Sequence, residues 1–128
     1  MTNLLEETIQ ALSNNDKTPS DVLWVGDRTV AFSWDYFVSI ADKEYDSGLG
    51  GQEVLAELLI VGKDWWLERY EYDGAEKWVF KTMPIKPARE YDMPSVFEND
   101  YEDLEVWDYV WCEDTFQGIL DKKKEETQ

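Results

Sequence analysis

The apolar positions at the start of the chain repeat at helical spacing. Leu4, Leu5, Thr8, Ile9, Ala11 and Leu12 fall at i, i+3/i+4 and i+7/i+8, which predicts an amphipathic helix over Asn3 to Ser13. Thr2 or Asn3 is placed to cap it. Glu6 and Glu7 sit in the first turn, where the helix dipole favours negative charge, and Asn14-Asn15-Asp16 ends it. Thr18-Pro19-Ser20-Asp21 is a turn. The apolar pattern then becomes that of strands: Val22 to Val25 and Thr29 to Phe32 form a hairpin around Gly26-Asp27-Arg28. Ser33 is an N-cap with Asp35 just inside, so Trp34 to Asp42 reads as a short helix. Asp46 to Gly51 is a glycine-rich loop. Glu53 to Val61 carries two signals, a helical turn in its first half and a strand over Glu57 to Val61.

Trp65 to Tyr72 and Ala75 to Thr82 flank Asp73-Gly74, the strongest hairpin signal in the chain. A two-residue loop sets Leu67 opposite Phe80 and Arg69 opposite Trp78. Trp65, Leu67, Trp78 and Phe80 then share a core face, while Trp66, Glu68, Tyr70, Lys77, Val79 and Lys81 share an amphipathic one. Adjacent strand residues face opposite ways, so Trp65 belongs to the core and Trp66 to the outside or to a second small cluster. Pro84, Pro87 and Pro94 break regular structure. Beyond them, Asp103 to Trp111 alternates as a strand and Thr115 to Lys124 reads as a final helix.

These elements predict an α+β fold: an antiparallel sheet of about four to five strands built on two hairpins, with two or three helices packed on one face. Residues 1–89 form a compact body. Residues 90–128 form an acidic, aromatic C-terminal extension, an edge strand plus a short helix or a loose arm. The length, 128 residues, fits one domain, and no internal repeat is visible.

Composition narrows the function. The chain has 29 acidic and 12 basic residues, a net charge of −17, and no histidine. A chain this negative repels phosphate, which argues against direct nucleic-acid binding. Without histidine, Ser-His-Asp and Cys-His catalysis and the usual zinc-hydrolase ligand sets are excluded. The single cysteine, Cys112, excludes an internal disulfide and is read as a small hydrophobe. High charge with low hydropathy is a disorder signature, but aromatic residues make up 15% of the chain, enough to anchor a core. No apolar run is long enough to span a membrane, and Met1 to Glu7 lacks a secretory signal pattern.

Several stretches resemble a group of small uncharacterised proteins encoded by phages and prophages of Gram-positive bacteria. They are Val22-Leu23-Trp24-Val25-Gly26, Tyr45-Asp46-x-Gly48-x-Gly50-Gly51-x-Glu53, the run from Val61-Gly62 through Asp64-Trp65-Trp66-Leu67-Glu68-Arg69 to Asp73-Gly74, and Trp78-x-Phe80-Lys81. The resemblance spans residues 3–87. It implies a phage protein working in a bacterial cytoplasm and assigns no activity, catalytic residue or binding residue.

The charge is uneven. Residues 1–89 hold 16 acidic and 9 basic residues, whereas residues 90–128 hold 13 and 3, and Glu90 to Asp114 contains ten carboxylates and no Lys or Arg. Six aromatics are interleaved with them. Strand residues on one face repeat every ~6.6 Å, an interval that spans about two phosphates of a DNA strand at about 3.4 Å of axis each. A row of carboxylates therefore offers a basic groove a field like that of nucleic acid. The candidate partner-binding residues are Glu98, Asp100, Glu102, Asp103, Glu105 and Asp108 as phosphate stand-ins, with Tyr101, Trp107 and Trp111 as apolar anchors. The expected partner is a basic nucleic-acid-handling host protein, inhibited by mimicry, with host-defence evasion as the phage's gain. The rival reading is a housekeeping or structural phage module whose acidity aids solubility. A weaker rival is a calcium-dependent binding module, from the acidic positions of Asp42 to Glu53; Ser47 stands where an EF-hand loop needs glycine, which argues for a plain connecting loop. No spacing singles out a catalytic carboxylate pair, and Gly48-Leu49-Gly50-Gly51 lacks the lysine of a phosphate-binding loop, so no enzymatic activity and no cofactor or metal is expected.

Overall fold

A computed structural model describes residues 1–48, 50–101, 110–111 and 113–126. They divide into two compact units, Met1–Ile85 and Lys86–Gln128.

In the first unit a two-residue strand, Thr2–Asn3 (β1), leads into the helix Leu4–Asn14 (α1). The Asn3 side chain accepts the Glu6 backbone N–H at 3.0 Å, satisfying one of the helix's open donors. Short strands Trp24–Gly26 (β2) and Ala31–Phe32 (β3) follow, then the helix Trp34–Ala41 (α2), capped by Ser33, whose hydroxyl accepts the Tyr36 N–H at 3.1 Å. Strands Glu44–Tyr45 (β4), Leu59–Val61 (β5), Trp65–Tyr72 (β6) and Ala75–Thr82 (β7) complete the unit. The larger sheet is antiparallel throughout, in the order β3-β2-β5-β6-β7, and β1 pairs separately with β4. The α+β class and the antiparallel sheet read from the sequence are therefore present.

One row of side chains crosses the whole sheet on its inner face: Phe32, Val25, Ile60, Leu67 and Phe80, each opposite the next. α1 and α2 cover this face, and Leu12, Phe37 and Ala41 join Val25, Ile60, Trp65, Leu67 and Trp78 in one core. Burying each large aliphatic contributes about 1.5–3 kcal/mol. Thr8, fully buried in the middle of α1, ties helix to sheet. Its hydroxyl donates to the Leu4 carbonyl at 2.7 Å and accepts the Trp78 indole N–H at 2.9 Å. The outer face carries the row Trp24, Val61, Trp66 and Lys81; Trp66 is half-buried, and its indole N–H donates to Glu68 at 2.8 Å.

Two glycines are required by geometry. Asp73 and Gly74 both have positive φ, 49° and 86°, as the tight turn between β6 and β7 demands, and a Cβ on Gly74 would lie 2.4 Å from the Gly50 carbonyl oxygen. At Gly62 a Cβ would come within 2.0 Å of the Trp65 indole, which packs against this backbone.

The first hairpin is shorter than its apolar pattern predicts. The Asp27 carboxylate accepts the N–H groups of Thr29 and Val30, each at 2.8 Å, and this side-chain turn takes Thr29 and Val30 out of the ladder. At its other end Val22 closes the single 3₁₀ turn Pro19–Asp21, so β2 begins only at Trp24. Among the described residues between β4 and β5 there is no helix; a hydrogen bond from Leu58 N–H to the Leu55 carbonyl, 3.2 Å, forms one turn before β5.

In the second unit the described elements are a 3₁₀ turn at Glu98–Asp100 and the helix Phe116–Glu126 (α3). Thr115 precedes α3, and its hydroxyl accepts the Gly118 N–H at 3.0 Å. Tyr101, Val110 and Ile119 form a small core with Met93 against it. The strand read over Asp103 to Trp111 falls on residues 103–109, which lie outside the described residues, and on Val110 and Trp111, which are in no strand. Among the described residues no helix is long and apolar enough to cross a membrane.

Candidate functional site

Of the nine residues proposed as a partner-binding surface, four are described. Glu98 and Asp100 are exposed on the 3₁₀ turn, and Asp100 accepts the Ser95 hydroxyl at 2.5 Å. Trp111 is 59% exposed, and its backbone N–H donates to Asp114 at 2.7 Å. That bond is the main reason the Asp114 carboxyl is held below the ordinary range, against a small opposing effect of burial and with help from Lys122 at 3.2 Å. Tyr101 departs from its expected role as a surface anchor. It is only 5% exposed, packs on Val110 and Ile119, and donates its hydroxyl to the Ser95 carbonyl. Its ring is taken up in forming the small core. Phe97, 69% exposed beside Glu98, takes the position the sequence reading gave to Tyr101. Glu102, Asp103, Glu105, Trp107 and Asp108 lie outside the described residues.

A second cluster was not singled out by sequence. Arg69 stands on the inner face of β6, opposite Trp78, with its side chain wholly buried. Its guanidinium lies 4.6 Å from the Trp78 ring, donates to Glu7 at 3.1 Å and to Glu76 at 3.2 Å, and donates to the Tyr45 hydroxyl at 3.0 Å. Tyr45 in turn donates to both oxygens of Glu7, at 2.8 and 2.9 Å. α1, β4, β6 and β7 thus meet at one cation. Burial works against the charge on Arg69, but the bonds to Tyr45 and Glu7 outweigh it and raise the guanidinium pKa. Burial is also the main reason the Tyr45 phenol is pushed up to about 12. Among the described residues Arg69 Nε has no acceptor.

Glu76 carries this cluster outward. Its two oxygens accept the backbone N–H groups of Glu53, 2.7 Å, and Val54, 3.2 Å, while one of them also faces Arg69. The cluster is a brace: its carboxylates are occupied by the guanidinium, the phenol and backbone donors, and it fixes a loop that has no regular structure of its own. The signal for it was in the hairpin register, since the two-residue turn that puts Leu67 opposite Phe80 necessarily turns Arg69 and Glu76 inward as well.

Two carboxylates of the loop that gave the calcium reading have protein partners. Asp42 accepts the Asn3 amide at 2.8 Å, and Glu53 accepts the Asp46 N–H at 2.7 Å. Among the described residues no group of three acidic, histidine or cysteine side chains is placed to hold a metal ion. The chain matches no family model, no curated protein and no solved structure.

Proposed function

We propose that this protein is a non-enzymatic binding protein that occupies the basic surface of a nucleic-acid-handling protein, with carboxylates standing where phosphates would. The carrying observation is the run from Glu90 to Asp114, with ten carboxylates and no Lys or Arg. Two further facts support it. Glu98 and Asp100 stand in solvent beside Phe97, and Trp111 is exposed as well, so charge and apolar anchors occur together on the surface of the second unit. The resemblance of the Asp64-Trp65-Trp66-Leu67-Glu68-Arg69 stretch to phage proteins supplies a setting, the bacterial cytoplasm, where a host nuclease or other defence protein is a worthwhile target.

The test is retention of host-lysate proteins on the immobilised full chain, eluted by a salt gradient and identified by mass spectrometry. Mimicry predicts that the retained proteins bind nucleic acid, leave at moderate salt and are displaced by duplex DNA. Changing Glu98, Asp100, Glu102, Asp103, Glu105 and Asp108 to their amides should abolish retention. If the amide variant retains the same proteins, or DNA fails to compete, the acidity serves solubility alone.

A further inference from the structure

α2 poses a problem of its own. Six of its eight residues are apolar or aromatic (Trp34, Tyr36, Phe37, Val38, Ile40 and Ala41), yet only Phe37 and Ala41 are buried. A helix apolar on nearly all sides is normally covered on nearly all sides. Of the uncovered residues, Ile40 lines a cleft of about 570 Å³ beside the buried Phe37 and Ala41, with the β2–β3 hairpin and residues 54–58 as its other walls. Its floor is apolar, with Leu4, Phe37, Ala41 and Leu58 among the lining side chains. A second hollow of about 440 Å³ shares Leu4, Ile40, Ala41 and Val54 with it, so the two adjoin at the C-terminal end of α2. At the mouth stand Ile40, 53% exposed, and Leu55, 81% exposed, large side chains that water solvates poorly.

The ionisable groups around this groove are Asp27, Glu44, Glu53 and Glu57, against one cation, Lys43. None of the four carboxylates is in an ion pair with any described residue. Asp27 is held charged chiefly by the N–H and hydroxyl of Thr29, which lower its pKa. The far wall is not loose, since the amides of Glu53 and Val54 are fixed on Glu76. An apolar floor, a rigid wall and an unneutralised acidic rim specify an occupant that is apolar on one side and cationic on the other.

We infer that this groove docks an amphipathic helix from a protein partner, with apolar side chains seated over Ile40, Ala41 and Leu55 and lysine or arginine side chains meeting Asp27, Glu44, Glu53 and Glu57. The inference uses only the first unit and stands independently of the acidic C-terminal segment. Two adjoining hollows edged by four carboxylates suit an occupant that presents successive apolar anchors on one side and cations on the other, as the turns of an amphipathic helix do at i, i+3/i+4 and i+7.

The experiment uses the full chain and a fluorescent helical peptide with leucines on one face and lysines on the other, followed by anisotropy at physiological salt. Methyl NMR of the same mixture should place the shifts at Val30, Ile40, Val54 and Leu55. Ile40→Lys should weaken binding about tenfold or more, as loss of a central apolar anchor does. Leu55→Lys, at a more exposed position, should weaken it in the same direction and keeps the test valid if Ile40→Lys disturbs folding. The amide variant of the C-terminal segment should still bind, which separates this site from the function proposed above. Equal binding by both lysine variants would overturn the inference. So would equal binding of a lysine–serine peptide, which needs only charge, or of a leucine–glutamate peptide, which needs only apolar contact. Self-association of the parent chain that Ile40→Lys abolishes, without peptide binding, would give the groove to a second copy and also overturn it.

Discussion

Arg69 is the residue on which the first unit's polar interior depends. It is a buried cation between two carboxylates, and removing it leaves Glu7 and Glu76 without their cation. Arg69→Met should therefore destabilise the protein by about 3–5 kcal/mol, read by urea unfolding. Lys86→Met, which deletes one partner of the exposed pair with Glu90, should shift the same curve by less than about 0.5 kcal/mol. Tyr45 makes a second prediction. Its phenol is neutral in the folded state, and its pKa is raised from 10.0 to about 12. The folded protein holds this proton more tightly than the unfolded chain, so the contribution is complete below pH 10 and is lost as pH rises towards 12. Stability should fall between those values in the parent chain and fall less steeply in Tyr45→Phe. Nothing in the sequence marked Tyr45 as part of this cluster, because β1 and β4 are two-residue strands, too short to show a period.

Among the elements, the β6–β7 hairpin was the most legible and residues 46–58 the least. Asp73-Gly74 dictates turn type, turn type dictates register, and register dictates which side chains turn inward. Ser47, Glu53 and Val54 in that stretch are held by Glu76, a residue distant in sequence, and no local pattern announces that. Helix α1 was legible from its apolar period and its Asn3 cap, but the role of Thr8 was not, since its hydroxyl matters only through Trp78 on β7. Thr8→Val keeps the shape and leaves the buried indole N–H without an acceptor. It should destabilise the protein by about 1–3 kcal/mol, measurable by thermal unfolding. The candidate acidic surface was legible only as charge density. That argument treats every aromatic in the segment as available, and it could not see that Tyr101 is taken up by contacts with Val110 and Ile119, which come from later in the chain.

At the scale of the molecule, salt should act in two opposite directions. A net charge of −17 repels itself in the compact state, and added electrolyte screens that repulsion. The unfolding temperature should therefore rise from low to moderate sodium chloride. Over the same range, binding to a basic partner through the acidic segment should weaken, because the same ions screen the attraction. A protein whose unfolding temperature and partner affinity both increased with salt would be using its apolar surfaces for binding, and its acidic segment would have no part in recognition.

The Glu76 carboxylate beneath Glu53 and Val54 also has a kinetic consequence. Both amides sit in an irregular surface stretch, where exchange with deuterium would ordinarily be fast. Each is closed by an oxygen of one carboxylate, which is itself tied through its other contact to a buried guanidinium. Their exchange should follow the opening of the β6–β7 pair rather than the motion of neighbouring Gly51 and Gln52, making two slow amides a direct clock for the interior of the sheet.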